Sequence, residues 1–172
     1  MHVSLTHGER QHLATIINRA AEIRSFLCGN AAEDVDPVAW FRYLSLLKAI
    51  QGNSDNDLSF LACILAKRYL VEKHGDLSFD VSSKAQIAPG LDIDFRAADG
   101  TRVVGEVKTT TPHKPRDFGG QQWTTIRADL KKLHHADAMF KYLLVTDDRA
   151  HEILTRRVDS DLKGIRLVRL QA

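Results

Sequence analysis

The stretch from Pro89 to Lys108 constrains this chain more than any other. Pro89-Gly90-Leu91-Asp92-Ile93-Asp94-Phe95 is followed by Asp99-Gly100 and then by Gly105-Glu106-Val107-Lys108. Apolar residues alternate with acids, and an Asp-Gly pair interrupts them, so the stretch reads as a β-hairpin with strands over 91–97 and 102–108. Side chains alternate faces along a strand, so Leu91, Ile93 and Phe95 share one face and Asp92 and Asp94 the other. On the second strand Glu106 and Lys108 point one way and Val107 the opposite way.

The length of the turn decides whether these acids meet. A two-residue Asp99-Gly100 loop sets Asp92 opposite Val107 and splits the carboxylates between faces. A three-residue loop, Ala98-Asp99-Gly100, sets Asp92 opposite Glu106 and Asp94 opposite Val104. A five-residue loop pairs Asp94 with Glu106 and Asp92 with Lys108. The three-residue loop is expected, because it is a type I turn ending in a residue with positive φ, and Gly100 stands at that position.

Facing carboxylates with Cβ atoms about 4.5–5.5 Å apart repel unless a positive charge lies between them. A hard divalent cation answers that need, and Mg²⁺ (with Mn²⁺ as its substitute) accepts one or two carboxylates together with waters and a substrate phosphate. Lys108, one step along the same face, would orient an attacking water or neutralise charge on a phosphate. Two carboxylates, a lysine and a metal suit hydrolysis of a phosphodiester.

These residues resemble the PD-(D/E)xK phosphodiesterase superfamily, with its restriction-endonuclease-like fold. Pro89-Gly90-Leu91-Asp92 stands for the "PD" element, loosened by two inserted residues, and Glu106-Val107-Lys108 for "ExK". Phe118-Gly119-Gly120-Gln121-Gln122, Ile126, Asp129-Leu130-Lys131-Lys132-Leu133 and Lys141-Tyr142-Leu143-Leu144-Val145-Thr146 look like the helix and strand that follow such a hairpin. The resemblance covers roughly residues 57–155. It implies Asp92, Glu106 and Lys108 as the catalytic core, with the Val107 backbone carbonyl as a further metal ligand. It also implies an added acid from a preceding helix, either Asp57 or Glu72, and leaves Asp94 as the rival of Asp92. The implied protein is a Mg²⁺-dependent endodeoxyribonuclease of restriction or another DNA defence, acting as a homodimer on DNA. The alternative is a DNA-binding or assembly subunit that keeps the fold without cutting. Blander still is an interaction protein whose hairpin acids are merely solvated.

Charge distribution bears on the partner. The 172 residues carry a net charge of only +2. Residues 102–132, however, hold 7 Lys/Arg against 3 Asp/Glu, a net of +4, while residues 1–101 hold 10 against 13. Lys114, Arg116, Arg127, Lys131 and Lys132 are therefore candidates to meet phosphates. Gln121 and Gln122 either contact a base edge or the water network, or only begin a helix.

Hydrophobic content of 44% and charged content of 27% are those of a soluble globular protein. No apolar run approaches the ~18 residues of a membrane span, and the N-terminus lacks a signal-peptide pattern. Cys28 and Cys63 are isolated in apolar helical contexts and read as buried free thiols of a cytoplasmic protein. Helices are expected over 8–28, 37–51, 57–74, 121–136 and 148–158, and strands over 77–82, 139–146 and 165–170. Trp40, Phe41 and Tyr43 read as core or interface residues. The expected architecture is α/β, a restriction-endonuclease-like mixed β-sheet flanked by helices. Residues 1–54 form a helical extension and residues 55–172 the nuclease-like core.

Overall fold

The structure, a computed structural model, describes residues 4–29, 36–75, 79–83, 90–114, 116–158 and 161–171. Pro89, Pro115 and the acidic loop at 30–35 lie outside the described residues. Backbone contacts divide the chain between Asp57 and Leu58.

The N-terminal unit, Leu5–Asp57, is helical. It contains α1 (His7–Gly29), α2 (Pro37–Gln51) and the first turn of α3 (Ser54–His74). Asp36 starts α2 by accepting hydrogen bonds from the Val38 and Ala39 N–H groups at 3.1 and 3.3 Å, and Pro37 occupies the first helical position, where its missing N–H costs nothing. The Phe26 and Tyr43 rings meet at 4.9 Å across α1 and α2, and Trp40 packs edge-on against Tyr43. No residue of α2 is buried, and Phe41 is 74% exposed, so none of the three aromatic residues sits in a core. Cys28 is exposed rather than buried, and Cys63 is half-buried.

The larger unit is built on a four-stranded mixed sheet in the order β1-β2-β3-β4. β1 (Ile93–Arg96) runs antiparallel to β2 (Arg102–Lys108), while β3 (Phe140–Val145) and β4 (Arg166–Arg169) follow parallel. Parallel neighbours need crossover connections, and α4 (Gly120–His135) and α5 (Asp148–Arg157) supply them. α4 and α5 pack Ile126, Leu130, Leu133, Ile153 and Leu154 against Val104, Leu143 and Val145 on one face of the sheet. On the other face, Ala66, Leu70 and Val71 of α3 pack against Ile93, Val103, Tyr142 and Leu144. The chain is thus an α/β protein whose sheet is sandwiched between helices, with a helical N-terminal region.

The hairpin has the three-residue loop. Ala97 and Thr101 close it, the Gly100 N–H donates to the Ala97 carbonyl at 2.9 Å, and Gly100 has φ +83°. Ile93 pairs with Gly105 and Asp94 with Val104, which continues to Asp92 beside Glu106. The strand expected over 77–82 is corrected for the described residues 79–83, which hold a 3-10 turn at Val81–Ser83. Asp80 forces it: its carboxylate accepts from the Ser82 N–H at 2.8 Å and the Ser82 hydroxyl at 2.6 Å, a local turn that competes with strand pairing.

Candidate active site

Glu106 sits in the central strand β2 and is 1% exposed. It occupies the face of β2 covered by α4 because it stands two residues from buried Val104, and strand side chains repeat every second residue. Beside it, Asp92 lies just before β1, where the strand pairing ends. There the Val107 N–H, left without a strand partner, donates to Asp92 Oδ2 at 2.9 Å. A strand residue's N–H and C=O point to the same edge, so the Val107 carbonyl lies on the Asp92 side. Lys108 completes the expected trio, with Nζ 4.0 Å from Glu106 Oε2.

Two residues of α4 join them. Asp129 is 4% exposed and forms an ion pair with Lys108, while Lys132 Nζ lies 2.7 Å from Asp129 Oδ1 and 3.3 Å from Glu106 Oε1. Asp129 Oδ2, which faces the Lys108 ammonium, has no well-aligned hydrogen bond and is held by charge. Sequence reading passed over Asp129 as a site residue. Its signal was a charged residue on the buried side of α4, among Ile126, Leu130 and Leu133, with a lysine three positions on.

Burial pushes the Glu106 carboxyl from its ordinary 4.5 up to about 8, helped by the negative charges of Asp92 and Asp129 and a hydrogen bond with Asp92. Lys108 opposes the rise without cancelling it. Both ammonium groups lie closer to Asp129 than to Glu106, so their charge is largely committed there. The Lys132 ammonium is raised above its usual value, first by its hydrogen bond to Asp129.

The other candidates fall elsewhere. Asp94 is held by Arg102, whose Nε and Nη2 donate to its two carboxylate oxygens at 2.9 and 2.7 Å. Asp57 belongs to the N-terminal unit, where it pairs with Arg19 and lies 3.5 Å from His12. Glu72 is exposed on α3, which covers the face of the sheet opposite Glu106, and lines a groove with Arg68, Tyr69 and Arg169.

Of the residues expected to touch nucleic acid, Lys114, Arg116, Gln121, Arg127 and Lys131 are exposed, and Arg127 lies over the Trp123 ring. Lys132 is exposed as well, but its ammonium reaches into the site. Gln122 braces the loop after β2: its Nε2 donates to the Thr111 carbonyl at 2.9 Å, and its Oε1 accepts from the Gly119 and His113 N–H groups. Asp117 anchors the same loop, accepting from Trp123 Nε1 and from Arg157. Among the described residues, no group of three or more His, Cys, Asp or Glu side chains is arranged to hold a metal ion, and no helix is long and apolar enough to cross a membrane. Comparison with protein-family models, curated proteins and solved structures found no match.

Proposed function

We propose that this chain is a metal-dependent nuclease of the PD-(D/E)xK type that hydrolyses DNA phosphodiester bonds at Asp92, Glu106 and Lys108. The observation that carries this reading is the hairpin register, which brings Asp92 beside Glu106 with Lys108 on the same face. The hairpin, crossover helix and parallel strand around that register support the restriction-endonuclease-like fold.

The donor set fits Mg²⁺. The hairpin register crowds two carboxylates together where a cation would relieve their repulsion, and Mg²⁺ asks for only one or two carboxylates besides waters and phosphate. Asp92 and Glu106 would hold it, with the Val107 carbonyl as a backbone ligand. When bound, such an ion polarises a phosphoryl oxygen and makes its bound water more acidic. Lys108 neutralises charge on the phosphate as water adds to phosphorus, one P–O ester bond breaks and the water's proton passes to the departing oxygen. The products are a phosphate monoester and a free hydroxyl. The exposed cations from Lys114 to Lys131 would follow the backbone on either side.

A homodimer would present two such sites to the two strands of a duplex. Defence against foreign DNA is the biological role the resemblance implies. The competing reading is a DNA-binding subunit without turnover, and the observation in its favour is that Lys108 is drawn to Asp129.

Plasmid, single-stranded DNA and RNA are incubated with the full chain and Mg²⁺, beside Asp92→Asn and Lys108→Ala. Cleavage of DNA by the wild type alone is expected. Cleavage that survives both substitutions removes the site. DNA binding without cleavage by the wild type favours the silent subunit, and sedimentation with and without DNA reports the dimer.

A further inference from the structure

Asp129 occupies a place where a leucine would pack. It lies on the core side of α4, three residues after Ile126 and four before Leu133, and its side chain is 5% exposed. A buried carboxylate is costly unless it is paired, and here two ammonium groups pair with it. Lys108 reaches it from β2 and Lys132 from the next turn of its own helix. Lys132 also reaches Glu106 at 3.3 Å, and Lys108 stands 4.0 Å from the other Glu106 oxygen. Lysine, aspartate, lysine and glutamate therefore alternate around a closed ring.

That ring does something a simple core aspartate would not. Two ammonium groups repel at short range, and one carboxylate between them holds both at the edge of the Asp92–Glu106 pair. The Lys108 side chain is nearly enclosed at 16% exposure, whereas that of Lys132 is 46% exposed and open to a ligand. Two fixed cations from different elements complement two oxygens of one phosphate group.

We infer that Asp129 is a positioning residue that holds the Lys108 and Lys132 ammonium groups as a pair to receive the non-bridging oxygens of the phosphate being cleaved. The substrate part rests on the nuclease reading above; the positioning part does not. On this view Lys132 touches the reacting phosphate itself instead of gripping the backbone at a distance, and Asp129 works only through the two lysines.

The test uses the full chain as wild type, Asp129→Asn, Asp129→Glu and Lys132→Gln. Lysine ammonium signals are first recorded by ¹⁵N NMR without DNA or metal, assigned through Lys108→Arg and Lys132→Arg. Slowly exchanging signals for both lysines are expected in the wild type, with the Lys108 signal lost in Asp129→Asn and regained in Asp129→Glu. Kinetics with Mg²⁺ follow. Asp129→Asn and Lys132→Gln are expected to lower kcat by about a hundredfold. KM should stay within about threefold, which separates positioning from binding. Lys132→Gln, at an exposed side chain, keeps the test decisive if Asp129→Asn fails to fold.

Both signals persisting in Asp129→Asn, or kcat within about threefold of wild type in Asp129→Asn and Lys132→Gln, overturns the inference. Should the wild type cleave nothing, the nuclease reading fails while the ammonium pair is still judged. Inorganic phosphate must then shift both lysine signals in the wild type and leave the Lys132 signal of Asp129→Asn in place, and an absent shift in the wild type overturns the pair as an anion site.

Discussion

Replacing Glu106 with glutamine should stabilise the metal-free protein, and by more as pH rises. In the folded chain the Glu106 carboxyl is pushed from 4.5 up to about 8, first by burial and then by Asp92 and Asp129. Below pH 4.5 folded and unfolded chains both carry the proton, and no charge is buried. Between 4.5 and about 8 the unfolded chain releases the proton and the folded chain keeps it, so stability falls by about 1.4 kcal/mol per pH unit. Above that range the folded carboxyl ionises too and the penalty levels off. Glutamine cannot ionise, so it removes this dependence, while its weaker contact with Lys132 adds an offset of opposite sign. Urea unfolding of both proteins in chelator at pH 5, 7 and 8 measures the difference. The variant should gain on the wild type by about 3 kcal/mol between pH 5 and pH 8. A difference that stays flat or narrows with rising pH refutes the argument, because Glu106 would then be ionised throughout and paired to its lysines.

Three further outcomes follow from the geometry. A Cβ at Gly105 would stand 3.1 Å from Leu144 Cδ1 and 3.4 Å from Ile93 Cδ1, so Gly105→Ala should cost about 1–3 kcal/mol in calorimetry. Asp94→Asn breaks a partly exposed pair with Arg102 and should cost less than about 1 kcal/mol while cleavage continues, unlike Asp92→Asn. Gln122→Ala frees the Thr111 carbonyl and the Gly119 and His113 N–H groups, and limited proteolysis between 109 and 119 should quicken by about tenfold or more.

The hairpin was legible because its information is local. Gly100 selects the loop, loop parity selects the register, and the register decides which acids meet. Asp94 could have been set aside on the same grounds. Its strand partner is Val104, so Arg102 lies diagonally beside it on the same face, within reach of a long side chain. Asp129 was harder to see, because its partner Lys108 is 21 positions away in the chain and only the β2–α4–β3 crossover brings them together. The strand expected near residue 80 failed for the reverse reason. There a single aspartate, bonding its own neighbours, outweighed a weak apolar pattern.

β2 answers to two different demands at alternate positions. Val103 and Gly105 face α3, and a Cβ at Gly105 would press on Leu144 and Ile93. Val104, Glu106 and Lys108 face α4, and the last two carry the charge. A lineage could therefore exchange 106 and 108 without recutting the packing on the far side. A cutting enzyme and a silent binding subunit would then stand two substitutions apart on one unchanged scaffold.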